Sequence, residues 1–275
     1  MQTRPSSTAR LSAALVAAAL AFAGALSGVP GGLSRGGAPP AAYAAPTPRW
    51  HVPILMYHMV DTDVPSRDLI TLHLTVMAPA FEGQVKLLRS AGYRPLSLDE
   101  VWSGLNGRTP PAHGIVLTFD DGYADNYTVA FPILKRYGWT GTFFVVTSTI
   151  GTRGHMTAAQ LEEMSRAGMA IESHGQHHID FSQLPLGLAR TELTNSKQII
   201  ARWSGKPVDF FAYPAGRFDP ALERLLGDLG YHGALTEIPG YATAASRPFA
   251  LERVRVDHDD SLSSFARKLG ITPPP

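Results

Sequence analysis

The chain has 275 residues and nearly balanced charge, with 24 Lys and Arg against 23 Asp and Glu. Arg4, Arg10 and Arg35 lie in the first 44 residues, which hold no acid, so residues 45–275 carry 21 basic and 23 acidic side chains. No basic run stands out, and the composition therefore gives no support to nucleic-acid binding. The chain has no cysteine, which excludes disulfides and a lipoprotein anchor and leaves stability to an apolar core.

The N-terminal segment has the pattern of an export signal. Arg4 and Arg10 precede an uncharged run rich in Ala and Leu over residues 11–29, and Ala42-Tyr43-Ala44 matches a small-residue cleavage site. We predict a cleaved signal peptide over residues 1–44, because the run is only weakly apolar. An uncleaved N-terminal membrane anchor is the alternative.

Residues 45–51 are then a short linker, and residues 52–275 are long enough for one domain with its own core. We expect this domain to be monomeric. We also expect it to act outside the cytoplasm, either secreted or associated with the cell envelope.

Short apolar runs alternate with helical patterns along this domain. Strand-like runs occupy residues 53–58, 114–117, 142–146, 169–171, 208–213 and 251–256. Helical patterns lie between and after them, at residues 81–92, 97–105, 133–138, 157–168, 188–203, from 219 and from 261. Repeated strand–helix units predict an α/β domain, either a parallel barrel or an open doubly wound sheet.

Two adjacent carboxylates, Asp120 and Asp121, follow the strand-like run at 114–117. Held together at a strand's end, they repel each other and lose hydration unless a cation or a proton compensates. Gly122 permits the sharp turn that brings both into one cavity. The pair therefore indicates a metal ligand beside a general base, and an ordinary solvated Asp-Asp-Gly turn is the alternative.

A histidine cluster follows the run at 169–171. His174 and His178 lie at a strand's end and in the loop beyond it. Two imidazoles with one carboxylate leave coordination positions open, as metal-assisted hydrolysis requires. The alternative is a surface histidine cluster, and we treat His177 as a bystander.

These two motifs are similar to those of the polysaccharide deacetylases, also called carbohydrate esterase family four or NodB-homology domains. Residues 118–122 resemble the family's first motif and residues 174–178 its second, with Gly175 where the family usually has a Ser or Thr that buttresses the loop. The resemblance extends from about Val52 to Ile271.

The resemblance implies a distorted barrel of the (β/α)7 type. It makes Asp120 the general base and Asp121, His174 and His178 the ligands of one divalent metal. Zn²⁺ is the expected ion, with Co²⁺ and Ni²⁺ as alternatives.

The segment from Tyr213 to Gly216 resembles the third motif of the family, with two departures. Ala212 stands where the family often has an Arg that orients the base, and Ala215 replaces an aromatic residue of the substrate pocket. We expect the backbone N–H of Ala215 to stabilise an oxyanion, with Tyr213 also at the substrate. A turn that simply ends a strand is the alternative.

The family's usual C-terminal Leu-x-His, which supplies the general acid, is absent. Residues 55–58 look like that motif moved to the first strand, as in the poly-N-acetylglucosamine deacetylases of the family. The resemblance therefore makes His58 the general acid and places Met56 at the acetyl pocket. His258 is the rival candidate for the acid.

Arg253 and Asp257 fall near the fourth motif, where the family holds groups that tune the acid or the base. We expect Arg253 to replace the missing third-motif Arg electrostatically.

The resemblance thus implies a metal-dependent enzyme that removes N-acetyl groups from an extracellular polysaccharide containing N-acetylglucosamine and releases acetate. Poly-N-acetylglucosamine and peptidoglycan are the candidate substrates. A non-catalytic glycan-binding matrix protein on the same fold is one alternative, and an O-acetyl esterase of the xylan type is another.

Overall fold

The structure is a computed structural model that describes residues 50–64 and 68–273. The predicted signal peptide over residues 1–44 lies outside the described residues, as does most of the linker predicted at 45–51. Within the described ranges, no helix combines the length and the apolar character needed to cross a membrane.

The described residues form short strands and mostly short helices. The strands are β1 (His51–Val52), β2 (Ile54–Tyr57), β3 (Met59–Asp61), β4 (Thr75–Met77), β5 (Arg94–Pro95), β6 (Gly114–Phe119), β7 (Thr142–Val145), β8 (Ala170–Ser173), β9 (Phe210–Ala212), β10 (Gly233–Pro239), β11 (Ala242–Thr243) and β12 (Leu251–Arg255). The α-helices are α1 (Leu69–Leu74), α2 (Ala78–Ser90), α3 (Leu98–Leu105), α4 (Phe131–Tyr137), α5 (Ala158–Arg166), α6 (Leu186–Ser204), α7 (Pro220–Asp228) and α8 (Leu262–Lys268). A π-helix at Asn126–Ala130 precedes α4, and 3₁₀ turns lie at Thr147–Thr149, Phe181–Gln183 and Pro214–Gly216.

Seven strands close into a parallel barrel. Strands β6, β7, β8, β9, β10 and β12 follow β2 around the ring in chain order, and β2 pairs with both β6 and β12. The register between β10 and β12 shifts between Leu235 and Pro239, which distorts the ring. The structure thus confirms the predicted (β/α)7-type barrel, and the first strand closes it beside the last.

The helix boundaries follow local signals. Ser97 and Thr157 cap α3 and α5 in complete capping boxes, and the Asp219 side chain accepts a hydrogen bond from the N–H of Leu222 at the start of α7. Gly138 and Gly205, both in the left-handed region, follow the last residues of α4 and α6.

The strand β10 has no counterpart among the predicted apolar runs. Only its first four residues are buried, and the last two are exposed. Its apolar run in the sequence is short, so periodicity does not reveal it.

Side chains alternate across the barrel strands, and this alternation positions the site. Val116 of β6 belongs to the cluster inside the barrel, whereas Leu117 and Phe119 belong to the core between the barrel and the helices. Residues Thr118 and Asp120 therefore continue the inward series of Val116 towards the carboxyl end of the strand. The carboxyl ends of parallel barrel strands are where such folds carry their active sites.

Phe119 is the centre of an aromatic cluster on the outer face of this strand. Its ring centroid lies 4.6 Å from that of Phe143, 5.3 Å from that of Tyr57 and 5.8 Å from that of Phe81. We expect Phe119→Ala to lower the free energy of unfolding by about 3–5 kcal/mol, because it leaves a cavity among these rings.

Urea denaturation of the full chain measures this loss. Ile70→Ala, at a side chain that is 74% exposed, is the control and should change stability by less than about 0.5 kcal/mol. Equal small losses in both variants would contradict the assignment of Phe119 to the core.

Candidate active site

Three predicted ligands converge at the carboxyl end of the barrel. Asp121 Oδ1 lies 3.3 Å from His174 Nε2 and 3.4 Å from His178 Nε2, and all three ligand atoms lie within 4.8 Å of one another. Asp121 Oδ1 is buried and has no hydrogen-bond partner among the described residues. An unpaired acceptor facing two ring nitrogens is a suitable arrangement for binding a cation.

The backbone fixes which nitrogen of His174 faces this group. His174 Nδ1 lies 2.7 Å from the carbonyl oxygen of Ala212, so Nδ1 carries the proton and the lone pair of Nε2 points towards Asp121. One carboxylate and two imidazoles are a donor set that suits zinc and similar divalent ions and leaves positions open for water. These residues therefore fit the predicted metal.

Two successive left-handed residues turn the chain after Asp120. Asp121 has φ 73° and Gly122 has φ 77°, which is rare for a residue with a side chain. A Cβ on Gly122 would lie 3.1 Å from Cγ1 of Val145. This turn lets two consecutive carboxylates reach one cavity.

Gly175 in the histidine loop is also required by its surroundings. It has φ 88°, and a Cβ there would lie 2.9 Å from the ring of Phe181, so neither Ser nor Thr fits. The Ser173 hydroxyl accepts a hydrogen bond from the N–H of Gly175 and contacts the Ser196 hydroxyl at 2.7 Å. Ser173 therefore supplies the hydroxyl that supports this loop, a role for which the family usually has a Ser or Thr at the position of Gly175.

Asp120 forms a buried bidentate ion pair with Arg253. The two guanidinium nitrogens of Arg253 donate to Oδ1 and Oδ2 of Asp120 at 2.9 and 2.7 Å, and the residues are 2% and 1% exposed. The remaining donors of Arg253 reach the carbonyl oxygen of Thr236 at 2.8 Å and Oγ1 of Thr118 at 3.2 Å. The guanidinium is therefore held on several sides and cannot turn away from the carboxylate.

This pairing decides the charge of Asp120. Burial raises the pKa of Asp120, but attraction to Arg253 and its hydrogen bonds outweigh burial and hold the pKa below its ordinary value. Burial likewise raises the pKa of Asp121, but the neighbouring imidazoles of His174, His58 and His178 outweigh burial and hold that pKa well below its ordinary value. Both carboxyls are thus ionised at neutral pH.

His58 directly follows the last residue of β2, two residues beyond Met56 and on the same side of the strand. His58 is 8% exposed and Met56 is 1% exposed. Burial lowers the pKa of His58, and the positive charges of Arg253 and Arg255 lower it further, while Asp120 and Asp121 oppose them. His58 therefore interacts electrostatically with both Asp120 and Asp121.

His258 is held elsewhere. Its Nδ1 lies 2.9 Å from the carbonyl oxygen of Thr75, and its N–H donates to the carbonyl of His73 at 3.3 Å. Its ring is thus bound to backbone beside β4, and His58 is the better placed of the two predicted acids.

Asp257 forms an ion pair with Arg255, a residue that no sequence motif singled out. Arg255 Nε donates to Asp257 Oδ1 at 2.7 Å and Nη1 donates to Glu237 Oε2 at 3.1 Å. Asp257 is thus paired with Arg255, whose positive charge is one of those that lower the pKa of His58.

The Tyr213 side chain, predicted to lie at the substrate, points away from the barrel interior. Tyr213 is fully buried on the outer face of the barrel, and its hydroxyl donates to the carbonyl of Phe249 at 2.9 Å. The reason is strand alternation, since Phe210 and Ala212 face inward and Phe211 and Tyr213 face outward.

Ala215 lies at the mouth of the barrel, two residues beyond Tyr213. It is exposed and has φ 53°. Gly216 follows with φ 65° in the same turn. This turn leaves Ala215 exposed just beyond the carboxyl end of β9.

Three further polar residues contact the site residues, and none of them was a predicted site residue. Thr118 is detectable, because it lies two residues before Asp120 on a strand. Thr236 and Asn126 come from elements remote in sequence, and Asn126 contacts the backbone of His58 through its side chain. Only the closed barrel brings them to the site.

Comparisons with known proteins agree with this geometry. The family described as polysaccharide deacetylase matches residues 107–234. YxkH of Bacillus subtilis, whose name assigns it to the polysaccharide deacetylases, is 34% identical over 215 residues, covering 78% of this chain and 74% of that protein. The poly-β-1,6-N-acetyl-D-glucosamine N-deacetylase of Escherichia coli is 26% identical over 71% of this chain, which spans 36% of that protein.

Among solved structures, the Streptococcus pyogenes deacetylase PplD in complex with acetate superposes with a TM-score of 0.75 and 31% identity. The match covers 83% of this chain and all of that chain. With its (β/α)7 barrel, its paired motifs and these relatives, the chain belongs to the polysaccharide deacetylase family.

Proposed function

We propose that this protein is a metal-dependent hydrolase that removes N-acetyl groups from a polysaccharide containing N-acetylglucosamine. The observation that carries the proposal is the pairing of two neighbouring carboxylates with different partners. Asp121 faces two imidazole nitrogens, whereas Asp120 is held ionised by Arg253. A carboxylate that is ionised and already oriented can accept a proton from water.

Asp121, His174 and His178 would hold the ion, which we propose to be Zn²⁺. When bound, such an ion polarises the acetyl carbonyl and makes a water molecule more acidic. Asp120 removes a proton from the attacking water, and the backbone N–H of Ala215 donates to the developing oxyanion.

His58 completes the reaction by donating a proton to the departing amine, so that the C–N bond breaks and acetate and a glucosamine unit are released. Burial lowers the pKa of His58, so its protonated form releases the proton readily, while the neighbouring carboxylates of Asp120 and Asp121 favour that protonated form. We propose that Met56, two residues before His58 and buried on the inward side of β2, lines the acetyl pocket.

We propose poly-N-acetylglucosamine as the substrate, with peptidoglycan as the alternative. The Escherichia coli relative acts on the former by name, and the histidine-bearing first strand resembles that subset of the family. The export signal predicted over residues 1–44 supports action outside the cytoplasm.

Acetate release from N-acetylglucosamine oligomers, poly-N-acetylglucosamine, peptidoglycan and acetyl xylan tests the proposal. Release from an N-acetylated polymer that stops with a chelator and resumes with Zn²⁺ supports it. Glycan binding without acetate release would favour the non-catalytic alternative, and release from acetyl xylan alone would favour the O-acetyl esterase.

Asp120→Asn tests the base. We expect kcat for acetate release to fall by at least about 100-fold, because the amide cannot accept the proton. Calorimetric titration with Zn²⁺ should show affinity close to that of the wild type, since Asp121, His174 and His178 remain. Full activity in this variant would show that Asp120 is not the base.

His178→Ala and His177→Ala form a matched pair of neighbouring substitutions. His177 is bound to Glu192, with its Nδ1 2.8 Å from Oε1, and does not face Asp121. Loss of the His178 ligand should weaken Zn²⁺ binding by more than about 100-fold, the upper range for loss of an outer-shell partner. The His177 variant should bind Zn²⁺ like the wild type, and equal losses would exclude the proposed ligand set.

Arg253→Gln tests the pH dependence of the base. Because Arg253 holds the pKa of Asp120 below its ordinary value, the wild type keeps its base ionised until the pH falls through that lowered pKa. Without Arg253 the pKa rises, and the acidic limb of the kcat/KM profile should move up by about 1–3 pH units.

Arg253→Lys keeps the positive charge but loses the planar guanidinium that donates to both oxygens of Asp120. We expect it to shift the acidic limb of the kcat/KM profile less than Arg253→Gln does. Circular dichroism confirms that each variant is folded. A folded Gln variant with an unmoved acidic limb would contradict the role of Arg253.

A further inference from the structure

The chain leaves the barrel at His58, and beyond this point two side chains, rather than a neighbouring strand, form hydrogen bonds with its backbone. β2 ends at Tyr57, and β3 pairs with β4 instead of a barrel strand. The carbonyl of His58 accepts from Asn126 Nδ2 at 2.8 Å, and the N–H of Val60 donates to Asp125 Oδ1 at 3.0 Å. These side chains supply the partners that a neighbouring strand would otherwise provide.

The two side chains are also bonded to each other. Asn126 Nδ2 donates to Asp125 Oδ1 at 2.8 Å, and the residues are 0% and 7% exposed. Both partners of the Asn126 amide nitrogen are acceptors, so only the NH₂ group can face them. The orientation of the amide, and with it the position of the His58 carbonyl, is therefore fixed.

The helix that carries Asn126 is adapted to this contact. Residues Asn126–Ala130 form a π-helix, closed by a hydrogen bond from the N–H of Phe131 to the carbonyl of Asn126. The wider turn begins at the residue whose side chain reaches His58. π-Helical turns are rare and are concentrated at functional sites.

We propose that Asp125 and Asn126 are positioning residues that fix His58 for proton donation to the leaving amine. We call this pair the β2–β3 clamp. The proposal rests on the role of His58 as general acid in the proposed function. The clamp acts through the backbone that follows the His58 Cα, at the carbonyl of His58 and the N–H of Val60.

Two substrates with different leaving groups separate this role from a purely structural one. An acetamide of glucosamine needs a proton on its nitrogen before the C–N bond breaks. 4-Nitrophenyl acetate releases a stable phenolate and needs no acid. We expect Asn126→Ala to lower kcat on N-acetylglucosamine oligomers by about 10- to 100-fold, with KM little changed and aryl acetate hydrolysis retained.

A double-mutant cycle identifies the residue through which the clamp acts. His58→Ala should show the same selectivity between the two substrates, and adding Asn126→Ala to it should cause no further loss. Asp125→Asn keeps an acceptor oxygen for the Val60 N–H and should retain most of the activity that Asp125→Ala loses.

Tyr57→Phe is the matched control. It removes a buried hydrogen bond to Gln84 on the outer face of the same strand and should affect both substrates alike. Thermal unfolding and Zn²⁺ content show whether each variant keeps its fold and its metal site.

Each remaining outcome overturns a distinct statement. If His58→Ala is selective and Asn126→Ala reduces both substrates equally, or lowers activity further in the His58→Ala background, the clamp proposal is wrong. If His58→Ala itself reduces both substrates equally, the assignment of the general acid in the proposed function fails, and the clamp proposal fails with it.

Discussion

The buried ion pair between Asp120 and Arg253 is the contact on which the rest of the site depends. Asp120 directly follows β6 and Arg253 lies on β12, and β2 runs between these two strands in the barrel. Neither charge has solvent to stabilise it, so removing one partner would leave the other buried and uncompensated, at a cost of about 3–5 kcal/mol. The same contact that keeps the base ionised therefore also joins the two strands on either side of β2.

Strand alternation is the second constraint, because it decides which side chains enter the barrel. Met56 and His58 follow Ile54 on the inward side of β2, as Thr118 and Asp120 follow Val116 on β6. Aromatic residues fill the opposite side and hold the strands against the helices. Each inward series is apolar near the start of its strand and polar near its end. The catalytic chemistry we propose thus occupies the carboxyl end of the barrel, beyond an apolar layer that includes Ile54, Val116 and Phe144.

Two parts of this site come from other places in the chain than the family's usual motifs. The guanidinium comes from Arg253 on β12 instead of position 212, and the proposed acid comes from His58 on the first strand. Both groups nevertheless reach the strand end that carries Asp120, because β12, β2 and β6 are consecutive around the ring. Catalysis depends on the positions of groups in space and not on their order in the chain. Ala212 still contributes, since its carbonyl orients His174.

The sequence by itself determined the local parts of this protein. The Asp120-Asp121-Gly122 turn and the two histidines follow apolar runs, so their place at strand ends was predictable, and the resemblance supplied the barrel. The sequence did not reveal β10, whose apolar run is too short, or the outward orientation of the Tyr213 side chain. The expectation that Arg253 pairs with Asp120 rested on its place near the fourth motif, because no periodicity links residues that lie 133 positions apart. Tertiary structure decided that contact and the clamp at His58, since closing the barrel brings together groups with no periodic relation in sequence.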